Sequence, residues 1–296
     1  MSDTPSPLET HLDYVEVSPD MTGILHTLFV TRTGEGPTES IMPAYSAQLF
    51  SFVQGSGAIH FADQDVFHSG DVSLTAPMLR AAPLVFEGPV LNVGASFTPL
   101  GWAMFCGLPA DKVHDTAFGA ETVVSQSHLA PLMAALEKAR SGALSLENYS
   151  RELEDMVRQV CASAHKPPRP DHVQLVSAID EWLESEFSPP VERLYASVNL
   201  GQRQVQRLCR RYFGVPPAQL VKRYRAIRAA MLLAHDDLSD ELRDEVVGAY
   251  FDQAHLIHDI RRYTGRTPKG LTKEAFAQDM LDPEGHGESG RKLRGD

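Results

Sequence analysis

Cysteine is scarce in this 296-residue chain: Cys106, Cys161 and Cys209 stand far apart and are odd in number. Such a set fits neither a disulfide framework nor a tetrahedral zinc site, and it suits a reducing cytoplasm. No apolar run approaches the roughly 20 residues that cross a bilayer, so no membrane partner is expected. The opening MSDTPSPLETHLDY is acidic and polar, without the cationic and apolar segments of a secretory leader. No phosphate loop, paired-carboxylate signature or nucleophile–base constellation stands out, which speaks against an enzyme. No His-x-His pair occurs anywhere. The last shortage is local: between Arg193 and His235 there is no Asp or Glu at all.

That acid-free block holds nine basic residues, Arg193, Arg203, Arg207, Arg210, Arg211, Lys222, Arg223, Arg225 and Arg228, in a chain of net charge −12. A solvated surface mixes signs, because like charges at helical spacing repel. A single-sign block on an acidic protein points to a phosphate partner. Residues 1–170 carry nine basic and nineteen acidic side chains, whereas residues 171–275 carry fifteen of each. The acidity therefore belongs to the first half. Modest net attraction to DNA implies that binding gains from a dimer.

Within the block, LGQRQVQRLCRRY (Leu200–Tyr212) puts Val205, Leu208, Cys209 and Tyr212 on one helical stripe, with Arg203, Arg207 and Arg210 opposite. A shorter helical run, Val191–Val198, precedes it. Asn199 lies between and tolerates the left-handed conformation of a tight turn. Helix, short turn and basic amphipathic helix is the arrangement that presents a second helix to the DNA major groove.

Upstream, residues 12–97 read as short strands, Ile24–Val30, Gln48–Val53, Ala58–Phe61, Val72–Leu74 and Val90–Phe97. Turns such as Gly55-Ser56-Gly57 and Ser69-Gly70-Asp71 separate them, which suggests a sandwich or jelly-roll barrel. Gly55–Pro77 resembles the hairpin of a cupin-like barrel. Its His60 and His68, with Asp63 and Asp65 between, do not make the ligand array of a metal cupin, so no metal or other cofactor is expected. The barrel interior is expected to be apolar or to hold a small organic effector, its residues undetermined. Two amphipathic helices follow, Ser127–Ser141 and Ser145–Ala164, with stripes suited to packing on the barrel or pairing with a second subunit; a homodimer is preferred. Lys166-Pro167-Pro168-Arg169-Pro170 reads as a stiff linker. Beyond it the chain is helical, with Asp171 placed to cap Val173–Phe187 and Gly214 to end the basic helix. Further helices are expected over Ala218–Ala234, Glu241–Gly248 and, capped by Asp252, as far as Tyr263. The tail from Asp279 reads as disordered.

Residues 172–272 resemble the DNA-binding domain of the AraC/XylS family of bacterial transcription regulators. The resemblance rests on Leu194, Arg203, Val205, Arg207, Gly214, Pro217, Arg225 and the run from Phe251 to Pro268. It implies a multidomain α+β fold: a cupin-like sensory domain (1–120), linker helices suited to dimerisation (121–170), a double helix-turn-helix domain (171–276) and a disordered tail (277–296). It also implies a cytoplasmic regulator whose partners are double-stranded DNA, a small-molecule effector and, for an activator, RNA polymerase. Family members read bases with the exposed N-terminal residues of each unit's second helix. Here those are Gln202, Arg203, Gln206 and Arg207, then Gln253, Ala254 and His258. Arg210 and Arg211 suit phosphates, and Arg261 and Arg262 extend the second unit's DNA-facing set. The sequence departs from the family at Tyr195, Asn199, Gly201, Asp244-Glu245, Ala249 and His258, which weakens base reading by the second unit. Two other readings stand beside this one: a metal-dependent cupin enzyme with a helical accessory domain, and a helical module that binds protein.

Overall fold

The computed structural model describes residues 10–63, 65–163, 167–234, 244 and 246–271. The N-terminal half is an eight-stranded antiparallel sheet: β1 (Thr10–Val15), β2 (Leu25–Thr33), β3 (Thr38–Met42), β4 (Gln48–Ile59), β5 (Phe67–His68), β6 (Val72–Thr75), β7 (Ala82–Phe97) and β8 (Ala117–Gly119). Its order is β1-β2-β7-β4-β6-β8, with β3 on β7 and β5 on β4. The long strands β4 and β7 pair along most of their lengths. Near one end β7 carries β2, and near the other it carries β3.

Two segments expected to be separate strands are one strand. Gly55-Ser56-Gly57 is not a turn; β4 runs through it, with register shifts between Phe52 and Gln54 and between Gln54 and Ser56. Gly55 sits there at φ +73, and a Cβ on it would lie 2.8 Å from the carbonyl oxygen of Pro89. A left-handed glycine and an extra residue are how a strand bends without ending. The alternation of side chains then gives the sheet two apolar faces.

Leu28, Leu49, Val93 and Ala95 point to one face and join a core with α1 (Pro99–Phe105), α3 (Gln126–Arg140) and α4 (Leu146–Ala162). Phe50 and Phe52 point the other way, into a second core with Met42, Ile59, Leu84 and Phe86. The stripes expected on α3 and α4 are thus used up inside the monomer: Leu132, Leu136, Tyr149, Leu153 and Val157 are buried against the sheet. The Tyr149 hydroxyl donates to Ser51 Oγ at 2.7 Å. A subunit partner has to use other surfaces. Glu154, 1% exposed, is held by the backbone N–H and hydroxyl of Ser18, both at 2.7 Å, and by Arg151 at 3.1 Å.

The second half is helical: α2 (Ala110–Val113) precedes α3 within the first half, and after the linker come α5 (Pro170–Glu184), α6 (Val191–Ser197), α7 (Gln202–Phe213), α8 (Pro217–Leu233) and α9 (Gln253–Thr264). Asp171 does not cap α5; Pro170 starts the helix and Asp171 pairs with Arg169 in its first turn. The α6–α7 turn needs no left-handed residue either, since Val198 and Gly201 are extended and Asp115 alone among the described non-glycine residues has positive φ. Gly214 does cap α7, at φ 81. Glu241–Gly248 falls partly, and the tail wholly, outside the described residues.

Helix α1 is pressed so closely on Ile24, the residue before β2, that a Cβ at Gly101 would lie 1.9 Å from its carbonyl oxygen. Replacing Gly101 by Ala must push helix and strand apart, at an expected cost of about 3 kcal/mol. Chemical denaturation of Gly101→Ala against the parent measures it; an unchanged midpoint would refute this packing.

Candidate DNA-binding surface

Helix α7 exists because Val205, Leu208, Cys209, Tyr212 and Phe213 bury one side of it, each at 3% exposure or less. Together with Leu175, Ile179, Trp182 and Leu194 they form one core. Cys209 is a small hydrophobe there, and burial pushes its thiol up to about 12. The outward face carries Gln202, Arg203, Arg207, Arg210 and Arg211, all exposed. Gln206 is half-buried, and its amide donates to the Tyr195 hydroxyl at 3.1 Å. Tyr195, bulky where the resembled family has Ala, therefore braces a predicted reading residue. Arg203 and Arg207 make no ion pair among the described residues. Arg210 lines an open cleft together with Asp111, Asp115 and Arg262.

The nine cations of the acid-free block do not act alike. Arg193 pairs with Glu186. Arg223 and Arg228 are 8% and 6% exposed and reach backbone carbonyls, Met78 at 3.4 Å and Glu186 at 2.8 Å. Arg225 lies 4.3 Å over the Tyr250 ring, donates to the Ala249 carbonyl and pairs with Asp259 at 3.4 Å. Three of the nine are thus internal braces. Sequence could not separate them, because helix α8 has core on both sides.

In the second unit Asp252 caps α9, its carboxylate accepting from the His255 N–H at 2.7 Å. Leu256, Ile260 and Tyr263 face inward as expected. Asp259 does too: it is 6% exposed, between Arg225, His255 and His258, so it adds no charge to the outer face. Gln253, Ala254, His258, Arg261 and Arg262 are exposed. Phe251, just ahead of the cap, is 93% exposed.

Both basic helices end on the sheet domain. The last carbonyls of a helix lack internal partners; those of Arg262 and Tyr263 accept from the backbone N–H groups of Ala81, at 3.0 Å, and Ala44, at 2.8 Å. Gly265, left-handed at φ 77, leaves room for Ile41, whose Cγ2 would lie 2.7 Å from a Cβ there. Gly214 does the same for Leu79, 3.0 Å from the corresponding position. Asp115, at φ 53, holds the Leu79-Arg80 segment by accepting from both backbone N–H groups.

Residues 194–274 match the family model described as helix-turn-helix domain. The C-terminal region carries a helix-turn-helix domain. No curated protein matches the chain in sequence. Among solved structures it is similar to ToxT from Vibrio cholerae O395, at 9% identity and a TM-score of 0.45, over 92% of this chain and 98% of that one. It is similar to the AraC-like transcriptional activator CuxR at 11% identity and a TM-score of 0.32, over 92% and 91%. A cupin superfamily protein from Desulfitobacterium hafniense covers 33% of this chain and 93% of its own, at 14% identity and a TM-score of 0.24. The helix-turn-helix domain supports a transcription regulator. His60, Asp63, Asp65 and His68 are all exposed, dispersed on the β4–β5 hairpin rather than turned toward the interior. No helix among the described residues is long and apolar enough to cross a membrane.

The two classes of arginine separate in a melting experiment. Arg225→Ala leaves Asp259 buried without its guanidinium and is expected to cost about 3 kcal/mol. Arg203→Ala is expected to stay within about 0.5 kcal/mol of the parent. Equal losses in the two variants would overturn this division.

Proposed function

We propose that the protein is a sequence-specific, DNA-binding transcription regulator in which the sheet domain senses a small molecule. The carrying observation is the outer face of α7: Arg203 and Arg207, exposed, one turn apart and without an ion pair among the described residues, on a helix whose other face is locked in the core of a helix-turn-helix domain. An Arg fork there matches the O6 and N7 acceptors of guanine, worth roughly 1–3 kcal/mol of discrimination. Arg210 and Arg211, further along, suit phosphates, which add affinity without sequence preference. In the second unit His258 supplies an imidazole in place of a fork, so the first unit dominates guanine reading.

The sensing half of the proposal looks to a narrow cavity of about 20 Å³ beside the sheet's second core, which a ligand has to widen. Phe29, Phe50, Phe52 and Phe86 line it, with the amides of Gln48 and Asn92 for polar contact. An apolar pocket with few polar groups is the usual form of a small-molecule site. Met42 lines that cavity, while Ile41, on the opposite face of β3, packs on Gly265 at the end of α9. A ligand that displaces β3 therefore acts on the end of a DNA-facing helix. We further propose that residues 1–120 make the sensory domain, residues 121–170 helices suited to dimerisation, residues 171–276 the DNA-binding domain, and that the regulator acts as a cytoplasmic homodimer, with RNA polymerase as partner where it activates.

A genome-wide binding profile of the full chain supplies an operator. Against it, Arg207→Ala is expected to lose the preference over random DNA. His258→Ala weakens binding only slightly. Arg211→Ala lowers affinity for both DNAs alike and flattens the salt dependence by about one ion. Sequence preference that survives Arg207→Ala and vanishes in His258→Ala would reverse the ranking of the two units, and a chain that binds no duplex refutes the function.

A further inference from the structure

A phenyl ring in water forgoes the largest gain that burial offers a side chain, so a fully exposed phenylalanine asks for an explanation. Phe251 is 93% exposed, while the other large hydrophobics exposed among the described residues reach 50% at most. It sits directly before the N-cap Asp252, at the end of α9 that a helix-turn-helix unit directs into the groove. Ala254 and His258 follow on the same outer face, with Arg261 one turn further. The two carboxylates nearest to that face are engaged elsewhere: Asp252 on the His255 N–H, and Asp259 inward with Arg225.

We infer that the second unit reads DNA by apolar contact, with Phe251 and Ala254 packing on the C5-methyl group of thymine in an A·T pair. This rests on the proposed DNA binding and adds a specificity residue to it. The chemistry is complementary to that of the first unit. Guanine is chosen by an arginine fork, whereas thymine alone among the bases offers a methyl group in the major groove. An aromatic ring and a methyl side chain can reward that group, and neither can hydrogen-bond a competing base edge. The departures that weaken hydrogen-bond reading here, with His258 foremost, leave this mode intact. The exposed Arg261 and Arg262 further along the same helix, and the exposed Arg203 and Arg207 on the first unit's second helix, favour DNA over a protein as the occupant.

The test uses the full-length protein and a library of random duplexes, selected in parallel with the parent, Phe251→Ala and Arg207→Ala. The parent is expected to select a site with a guanine-rich part and a separate A·T position. Phe251→Ala should keep the guanines and lose the A·T preference, and Arg207→Ala should do the reverse. Replacing that thymine by uracil removes only the methyl group and should weaken the parent by about fourfold, with Phe251→Ala indifferent. Because the side chain is exposed, an unchanged melting temperature in Phe251→Ala confirms that folding is not the cause. Identical selected sites for parent and Phe251→Ala, or equal sensitivity to uracil, overturn the inference and leave the ring to a protein partner. A parent that selects no site at all refutes the DNA-binding reading itself.

Discussion

The last carbonyls of α9 cannot be satisfied by α9. In this protein the amides that accept the task come from the other half of the chain, Ala44 and Ala81, on the segments that follow β3 and precede β7. Leaving such groups buried and unpaired costs about 1–3 kcal/mol each, so the second helix-turn-helix unit is stabilised in place by the sheet domain. Ala44 goes further and joins the apolar core of that unit, with Tyr45 packed beside it. Leu100 and Ala103 of α1 do the same for the core around α7. The arrangement of the two basic helices is therefore held at their C-terminal ends by one rigid neighbour. Their N-terminal ends, where Arg203, Arg207 and Phe251 lie, remain in solvent.

That neighbour can hold them because it is bent. A flat sheet with alternating side chains has one face for a core and one for water. The bulged stretch around Gly55 folds β4, and with it β7, so that both faces are apolar. One face is covered by α3 and α4, which explains why those helices carry apolar stripes. The other carries the narrow aromatic-lined cavity. The edge of the same folded sheet, β3 and the 78–81 segment, is what meets the helix-turn-helix domain.

Much of this was legible in the residues. Periodicity placed α7 and its buried stripe to within two residues, and Gly214, Asp252 and Gly265 mark their termini as their chemistry requires. What stayed hidden was long-range. Glycines at 55 and 57 punctuate a sequence equally well as a turn or as a bulge, and only the strand opposite decides between them. An amphipathic helix announces that one face is buried, not what buries it; hence α3 and α4 suited a dimer as well as a sheet. Asn199 has the propensity for a left-handed turn, but extended residues at 198 and 201 already reverse the chain. The contacts at Ile41, Ala44, Leu79 and Ala81 leave no local signal, because an alanine that donates its backbone N–H looks like any other alanine.

The arginines carry the same lesson about charge. Nine cations without an acid between them read as one field, but a field is made only by charges that solvent and ligand can feel. Arg223, Arg225 and Arg228 face carbonyls, a carboxylate and an aromatic ring, and Arg193 has Glu186. The cations turned outward are Arg203, Arg207, Arg210, Arg211 and Lys222, and four of these five stand on one helix. In a chain of net charge −12, that helix and the exposed Arg261 and Arg262 of α9 are the cations best placed to meet a polyanion. One internal arginine serves the same end indirectly: Arg225 holds Asp259, which would otherwise face outward, in the core beside it. The sorting of charge between core and surface, more than its total, gives the acidic protein a cationic front.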